Sequence, residues 1–154
     1  GDSLSRWVAQ GFSNVVESEM TPLTDGLVEA LRSGDVEGML AKFSVFFSGV
    51  PNTIVIQNEK YYQSIFYAVL KVIGAMVSAE VQTNEGRVDA VVETAKAIFV
   101  FEFKLHGTAE EAIAQIRAKR YYEKYLGRPQ KVVLVGVAFD AKTRNLGRHI
   151  IEAL

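Results

Sequence analysis

The chain contains no cysteine and only two histidines, His106 and His149. The first absence rules out a disulfide framework and a thiolate zinc site, and the scarcity of histidine rules out a multi-histidine metal centre built within the chain. No apolar run approaches the roughly 18 residues of a membrane-spanning helix, and no basic, apolar, small-residue leader opens the sequence. An excess of either charge is missing too: 17 Lys and Arg stand against 18 Asp and Glu, a formal net charge of −1. Global charge therefore gives no support to a nucleic-acid partner, and any such binding has to rest on a local patch. The chain reads as soluble and intracellular, expected in the cytoplasm, with no membrane partner. It opens on Gly1 rather than Met, which suggests a piece cut from a longer chain, with function shared with the part outside it.

What is present is apolar residue, 49% of 154, enough for one domain with a proper core and an added helical segment. Charge is unevenly spread. Acids outnumber bases up to Ser44, whereas Arg117, Lys119, Arg120, Lys124, Arg128 and Lys131 stand against Glu123 alone. That basic stripe is either a phosphate-binding surface or the solvated face of a surface helix.

The first third is helical in pattern, with apolar residues at helical spacing over Leu4 to Val16, Leu23 to Leu31 and Val36 to Phe47. Gly34 is placed to stop one helix and Asp35 to cap the next. Gly49-Val50-Pro51-Asn52 breaks the pattern, which divides the chain into a helical linker or adaptor at 1–57 and a second unit at 58–154. There Asn58 can cap a helix through Ile73, with Glu59 in its first turn and Gly74 loosening its end. Met76 to Thr83, Arg87 to Glu93 and Ala97 to Leu105 read as an antiparallel meander joined by hairpin-length turns. Thr108-Ala-Glu-Glu111 matches a capping box opening a helix to about Leu126, ended by Gly127 and Pro129. Lys131 to Phe139 reads as a strand buried on both faces and, after a helical crossover, parallel to the Ala97 strand. Arg144 to Leu154 is expected to be a closing helix.

Charged residues inside the strands need a reason. Side chains alternate across a strand, so Phe99, Phe101 and Phe103 share one face while Ile98, Val100, Glu102 and Lys104 share the other. If the preceding run pairs as a hairpin, Asp89 joins Glu102 on that face. Two adjacent carboxylates repel, and a hard cation held by one or two carboxylates relieves the repulsion. A metal site with a lysine beside it is the simplest reading; the alternative is a solvent-exposed Glu-Lys pair on an edge strand. On the following helix Gln115, Lys119 and Tyr122, spaced by four and three, share one face. Glu80 reads as outward-facing, and His106 as a loop residue.

The phrases Gly86-Arg87-Val88-Asp89, Phe101-Glu102-Phe103-Lys104 and Gln115-Ile116-Arg117-Ala118-Lys119-Arg120-Tyr121-Tyr122, in an α-β-β-β-α-β order, resemble the PD-(D/E)XK nuclease superfamily. The resemblance covers about 58 to 154 and is nearest to bacterial members whose nuclease-like domain follows an AAA-type ATPase domain. It implies an α/β, restriction-endonuclease-like core, a mixed sheet flanked by helices and preceded by a helical segment. It makes Asp89 and Glu102 ligands of Mg2+ or Mn2+, and Lys104 the group that positions or activates the attacking water. Glu59 then corresponds to the acid of the first helix and Gln115 to a glutamine facing the site. The proline that names the superfamily is replaced by Val88. The implied function is metal-dependent phosphodiester hydrolysis, with DNA the expected substrate, phosphate contacts from Lys119, Tyr122, Lys124 and Arg128, and an ATPase domain of the same longer chain as partner. The alternative is a nuclease-like module without catalysis that binds nucleic acid or protein.

Overall fold

The computed structural model describes residues 22–49 and 59–154, without the side chains of residues 59, 60 and 121. The expected helix at Leu4 to Val16, the break after Gly49 and the Asn58 cap lie outside the described residues. A helix at 22–33 (α1) turns at Gly34, whose φ of +81° suits glycine, into α2, Val36–Ser48. Asp35 caps α2 by accepting from the Gly38 amide at 2.9 Å. Then come α3 (Glu59–Met76), β1 (Ser78–Asn84), β2 (Arg87–Glu93), β3 (Ala97–Lys104), α4 (Ala109–Lys119), a 3-10 turn (Tyr121–Tyr125), β4 (Lys131–Asp140) and β5 (Asn145–Ala153).

The five strands lie in chain order, antiparallel except for the parallel β3–β4 pair across the α4 crossover. Period-two alternation sorts β3 onto two cores. Phe99, Phe101 and Phe103 pack with α1, α2 and α3, whereas Ile98 and Val100 pack with Ile113 and Ile116 of α4, with Tyr122 and Tyr125, and with Val132 and Leu134. Burial on both faces explains the unbroken apolar runs of β3 and β4. The larger core is an aromatic cluster: Phe66 stacks on Phe103 at 4.7 Å, Phe43 and Phe47 of α2 reach Phe66 at 5.5 and 5.1 Å, and Tyr62 lies 4.4 Å from Phe139. Such contacts each add about 0.5–1.5 kcal/mol beyond area burial.

Three expectations are corrected. The helix from residue 59 runs through Gly74 to Met76, and the Val77 amide still donates to the Ile73 carbonyl at 2.9 Å, so the glycine does not loosen its end. The helix opened by Thr108 ends at Lys119 rather than near Leu126: Arg120 adopts φ +60°, and the chain re-enters as a 3-10 turn. The turn carries Tyr122 and Tyr125 into the smaller core. Finally, the closing segment is a strand. Ile150 packs with the smaller core and its neighbour Ile151 with the larger, the opposite-face alternation of a strand, and pairing with β4 satisfies that strand's free edge. A bulge between Val137 and Phe139 brings Leu146 to the same face as Ile151.

Candidate active site

The hairpin register places Asp89 of β2 directly opposite Glu102 of β3, and continues the row with Gln82 on β1 and Gly136 on β4. Val88, Ala90 and Val92 face the aromatic core, so Asp89 faces α4. The acids sit where α4 closes over the sheet. Glycine at 136 makes that approach possible: a Cβ there would lie 2.9 Å from the Ala109 carbonyl and 3.0 Å from the Ile113 amide. The helix is anchored at its start by Thr108, whose hydroxyl accepts from the Glu111 amide at 3.1 Å.

From α4, Gln115 and Lys119, one turn apart, reach down to the sheet. The Gln115 Oε1 accepts from Lys104 Nζ at 3.3 Å, and Lys119 Nζ bridges the acids, 3.0 Å from Asp89 Oδ2 and 3.1 Å from Glu102 Oε1. Arg87 adds a second cation, its Nε 3.4 Å from Asp89 Oδ2. Gly107, at φ +114°, leaves room for the Lys104 stem, since a Cβ there would lie 2.7 Å from Lys104 Cε.

Glu102 is fully buried. Burial is the largest cause raising its pKa to about 7, the Asp89 carboxyl raises it further, and Lys119 opposes both. One oxygen of each acid, Asp89 Oδ1 and Glu102 Oε2, is buried without a hydrogen-bond partner. Two opposed carboxylates, each with a desolvated acceptor, suit a hard, oxygen-seeking cation, so the donor set fits a divalent ion such as Mg2+ or Mn2+. No group of three or more His, Asp or Glu side chains placed to hold a metal occurs among the described residues. Glu59 stands at the start of α3, its side chain outside the described residues.

The structure thus gathers Asp89, Glu102, Lys104, Gln115 and Lys119. It takes Tyr122 elsewhere, into the smaller core, because the left-handed Arg120 breaks the helical spacing that would have kept it in line with Lys119. The basic stripe is mostly neutralised. Arg117 pairs with Glu152, Arg120 with Glu123 at 2.7 Å, and Arg128 with Glu93 at 2.6 Å while lying over the Tyr125 ring. Lys124 and Lys131 have no ion pair among the described residues. Lys124 lines a pocket of about 210 Å³ beside Asp89 with Glu80, Gln82, Ala90, Val91 and Tyr125. Glu80, read from sequence as outward-facing, is exposed on the face that carries Asp89 and borders this pocket. Sequence reasoning missed Arg87 as a partner of Asp89 and the bridging position of Lys119; the signal for the latter was its four-residue spacing from Gln115.

The fold and this cluster define a nuclease-like α/β domain, and comparison with known proteins agrees. The family model of the PD-(D/E)XK nuclease superfamily matches residues 57–149, from the start of α3 into β5, and the chain belongs to that superfamily. It is also similar to an uncharacterized protein in the vnfD 5' region of Azotobacter chroococcum mcd 1, with 31% identity over 138 residues. The alignment covers 85% of this chain and 27% of that protein, so the chain spans about a quarter of the relative's length. No solved structure matches. Among the described residues no helix is long and apolar enough to cross a membrane.

Proposed function

We propose that this chain is the nuclease portion of a larger protein and hydrolyses phosphodiester bonds with the help of a divalent cation, with DNA as substrate. The observation that carries the reading is the opposed Asp89–Glu102 pair, each acid with one buried unpartnered oxygen, with Lys104 two residues along the same strand face. Asp89 and Glu102 would hold Mg2+ or Mn2+, which when bound polarises phosphoryl oxygen and acidifies water. Lys104, steadied by Gln115, presents an ammonium where negative charge gathers on the phosphoryl group, and it can orient the attacking water. Lys124 beside Asp89 supplies a cation for a flanking phosphate. Glu59, at the start of α3, is proposed as a further acid of the site. No base-reading arrangement stands out among the described residues, so cleavage without marked sequence preference is expected. An ATPase domain elsewhere in the same longer chain would be its partner.

A second reading, a nuclease-like module that binds without cutting, is favoured by one observation: Lys119 already lies between the carboxylates. Incubation with labelled single- and double-stranded DNA and RNA, in Mg2+, Mn2+ or chelator, separates the two. The nuclease reading expects cation-dependent cleavage that Glu102→Gln abolishes. Binding without cleavage in every condition, including when the chain is joined to the rest of its longer protein, would establish the second reading.

A further inference from the structure

The geometry points to Lys119 as the resident counter-ion of the cation site: its ammonium holds the place between Asp89 and Glu102 until a divalent ion displaces it, and the displaced side chain then turns to the nucleic-acid phosphate. The inference rests on the metal-dependent reading above and assigns Lys119 a role beyond a simple phosphate contact.

Three observations carry it. First, Lys119 Nζ is nearly equidistant from the two acids, 3.0 Å from Asp89 Oδ2 and 3.1 Å from Glu102 Oε1, as a cation shared by both would be. A divalent ion on the same carboxylates would bring two positive charges against that ammonium, so both cannot keep their places at low cost. Second, Lys119 is able to leave. It is the last residue of α4, its side chain is 25% exposed while that of Glu102 is 0% exposed, and the chain turns away at the left-handed Arg120. A lysine stem has four rotatable carbons and a compact charge, so it can swing without moving the helix. Third, the arginines of the basic stripe are engaged, Arg117, Arg120 and Arg128 being held by Glu152, Glu123 and Glu93, which leaves Lys124 as the cation beside Asp89 without an ion pair among the described residues. A freed Lys119 would therefore add a phosphate-binding charge at the moment the site is loaded, and metal and nucleic acid would each strengthen binding of the other.

The test is a calorimetric Mn2+ titration of the wild-type chain and of Lys119→Met, combined with lysine-ammonium NMR of the wild type during Mg2+ titration. Removing the competitor should tighten Mn2+ binding about ten-fold, the factor expected when two charge-assisted contacts no longer have to be broken and part of their strength is returned to water. The Lys119 ammonium signal, protected by two carboxylates in the free protein, should vanish into fast exchange at saturating Mg2+. Equal or weaker Mn2+ binding by Lys119→Met, or an ammonium signal that persists at saturation, would overturn the inference while leaving the metal-dependent reading in place. The NMR arm needs no substitution, so it decides the matter even if Lys119→Met fails to fold. Failure of both proteins to take up either ion would sink the inference together with the metal-dependent reading.

Discussion

Glu102 and Gly136 are register partners on the parallel strands β3 and β4, and the side chain missing from Gly136 is what lets α4 press onto the sheet beside the acid. The packing of this helix and the assembly of the site are therefore one event. Gly136→Ala would set a methyl group against the Ala109 carbonyl and the Ile113 amide, both backbone atoms that cannot move alone. Overpacking of this kind costs about 1–3 kcal/mol. Urea denaturation should show that loss, and Lys119 should draw back from the two acids. An unchanged midpoint would show that α4 has slack the geometry denies.

Glu102 makes stability depend on pH in an unusual direction. Its carboxyl titrates near 7 in the fold against an ordinary value of 4.5, so the folded state holds the extra proton between those values. The stabilisation from Glu102 is present below about pH 4.5 and is lost as pH rises through about 7. In chelator, Glu102→Gln should gain in melting temperature relative to wild type on going from pH 5 to pH 8. Parallel melting curves for the two proteins across that range would contradict the burial argument.

For Lys104 the expectation separates chemistry from folding. Its contact with Gln115 is a half-buried surface contact, worth about 0–1 kcal/mol by analogy with exposed pairs, so Lys104→Ala should melt within a few degrees of wild type. Cleavage should fall by about two to three orders of magnitude, the usual cost of removing one preorganised charge-stabilising group. Cleavage within a factor of two of wild type would remove Lys104 from the reaction.

Lys124 and Arg128 should behave differently although both belong to the basic stripe. Lys124 has no ion pair among the described residues and borders the pocket at Asp89, so Lys124→Ala should weaken DNA binding and lower the salt slope by about 0.9 for a lost duplex phosphate contact. Both side chains lie over the Tyr125 ring, at 5.1 and 4.9 Å, but Arg128 is also held by Glu93, so Arg128→Ala should act mainly on stability. Fluorescence anisotropy across a salt series checks both, and identical slopes for the two variants would reject the distinction.

The meander was legible because alternation is a local property. Phe99, Phe101 and Phe103 could share a face only in a strand, which left Glu102 and Lys104 on the other and Asp89 opposite Glu102. The end of α4 was not legible, since arginine gives no local signal for the left-handed conformation that Arg120 adopts, and Tyr122 and Tyr125 look equally apolar on a helix. The final strand was missed because its sorting of Ile150 and Ile151 to opposite cores depends on what stands on each side of β5. The Lys119 bridge lies between these cases. Its helix face could be read from the spacing to Gln115, but its reach to the acids is set by the helix-to-sheet distance that Gly136 permits.

The most direct measurement for a cation-dependent nuclease site is a crystal structure of the wild-type chain soaked in Mn2+ at pH 8, with anomalous scattering used to locate the ion. The account predicts a single anomalous peak between Asp89 and Glu102, bound to an oxygen of each at about 2.1 Å, with Lys119 turned away. No anomalous signal between the two acids, with Lys119 still bridging the carboxylates at about 3 Å as now observed, would contradict it.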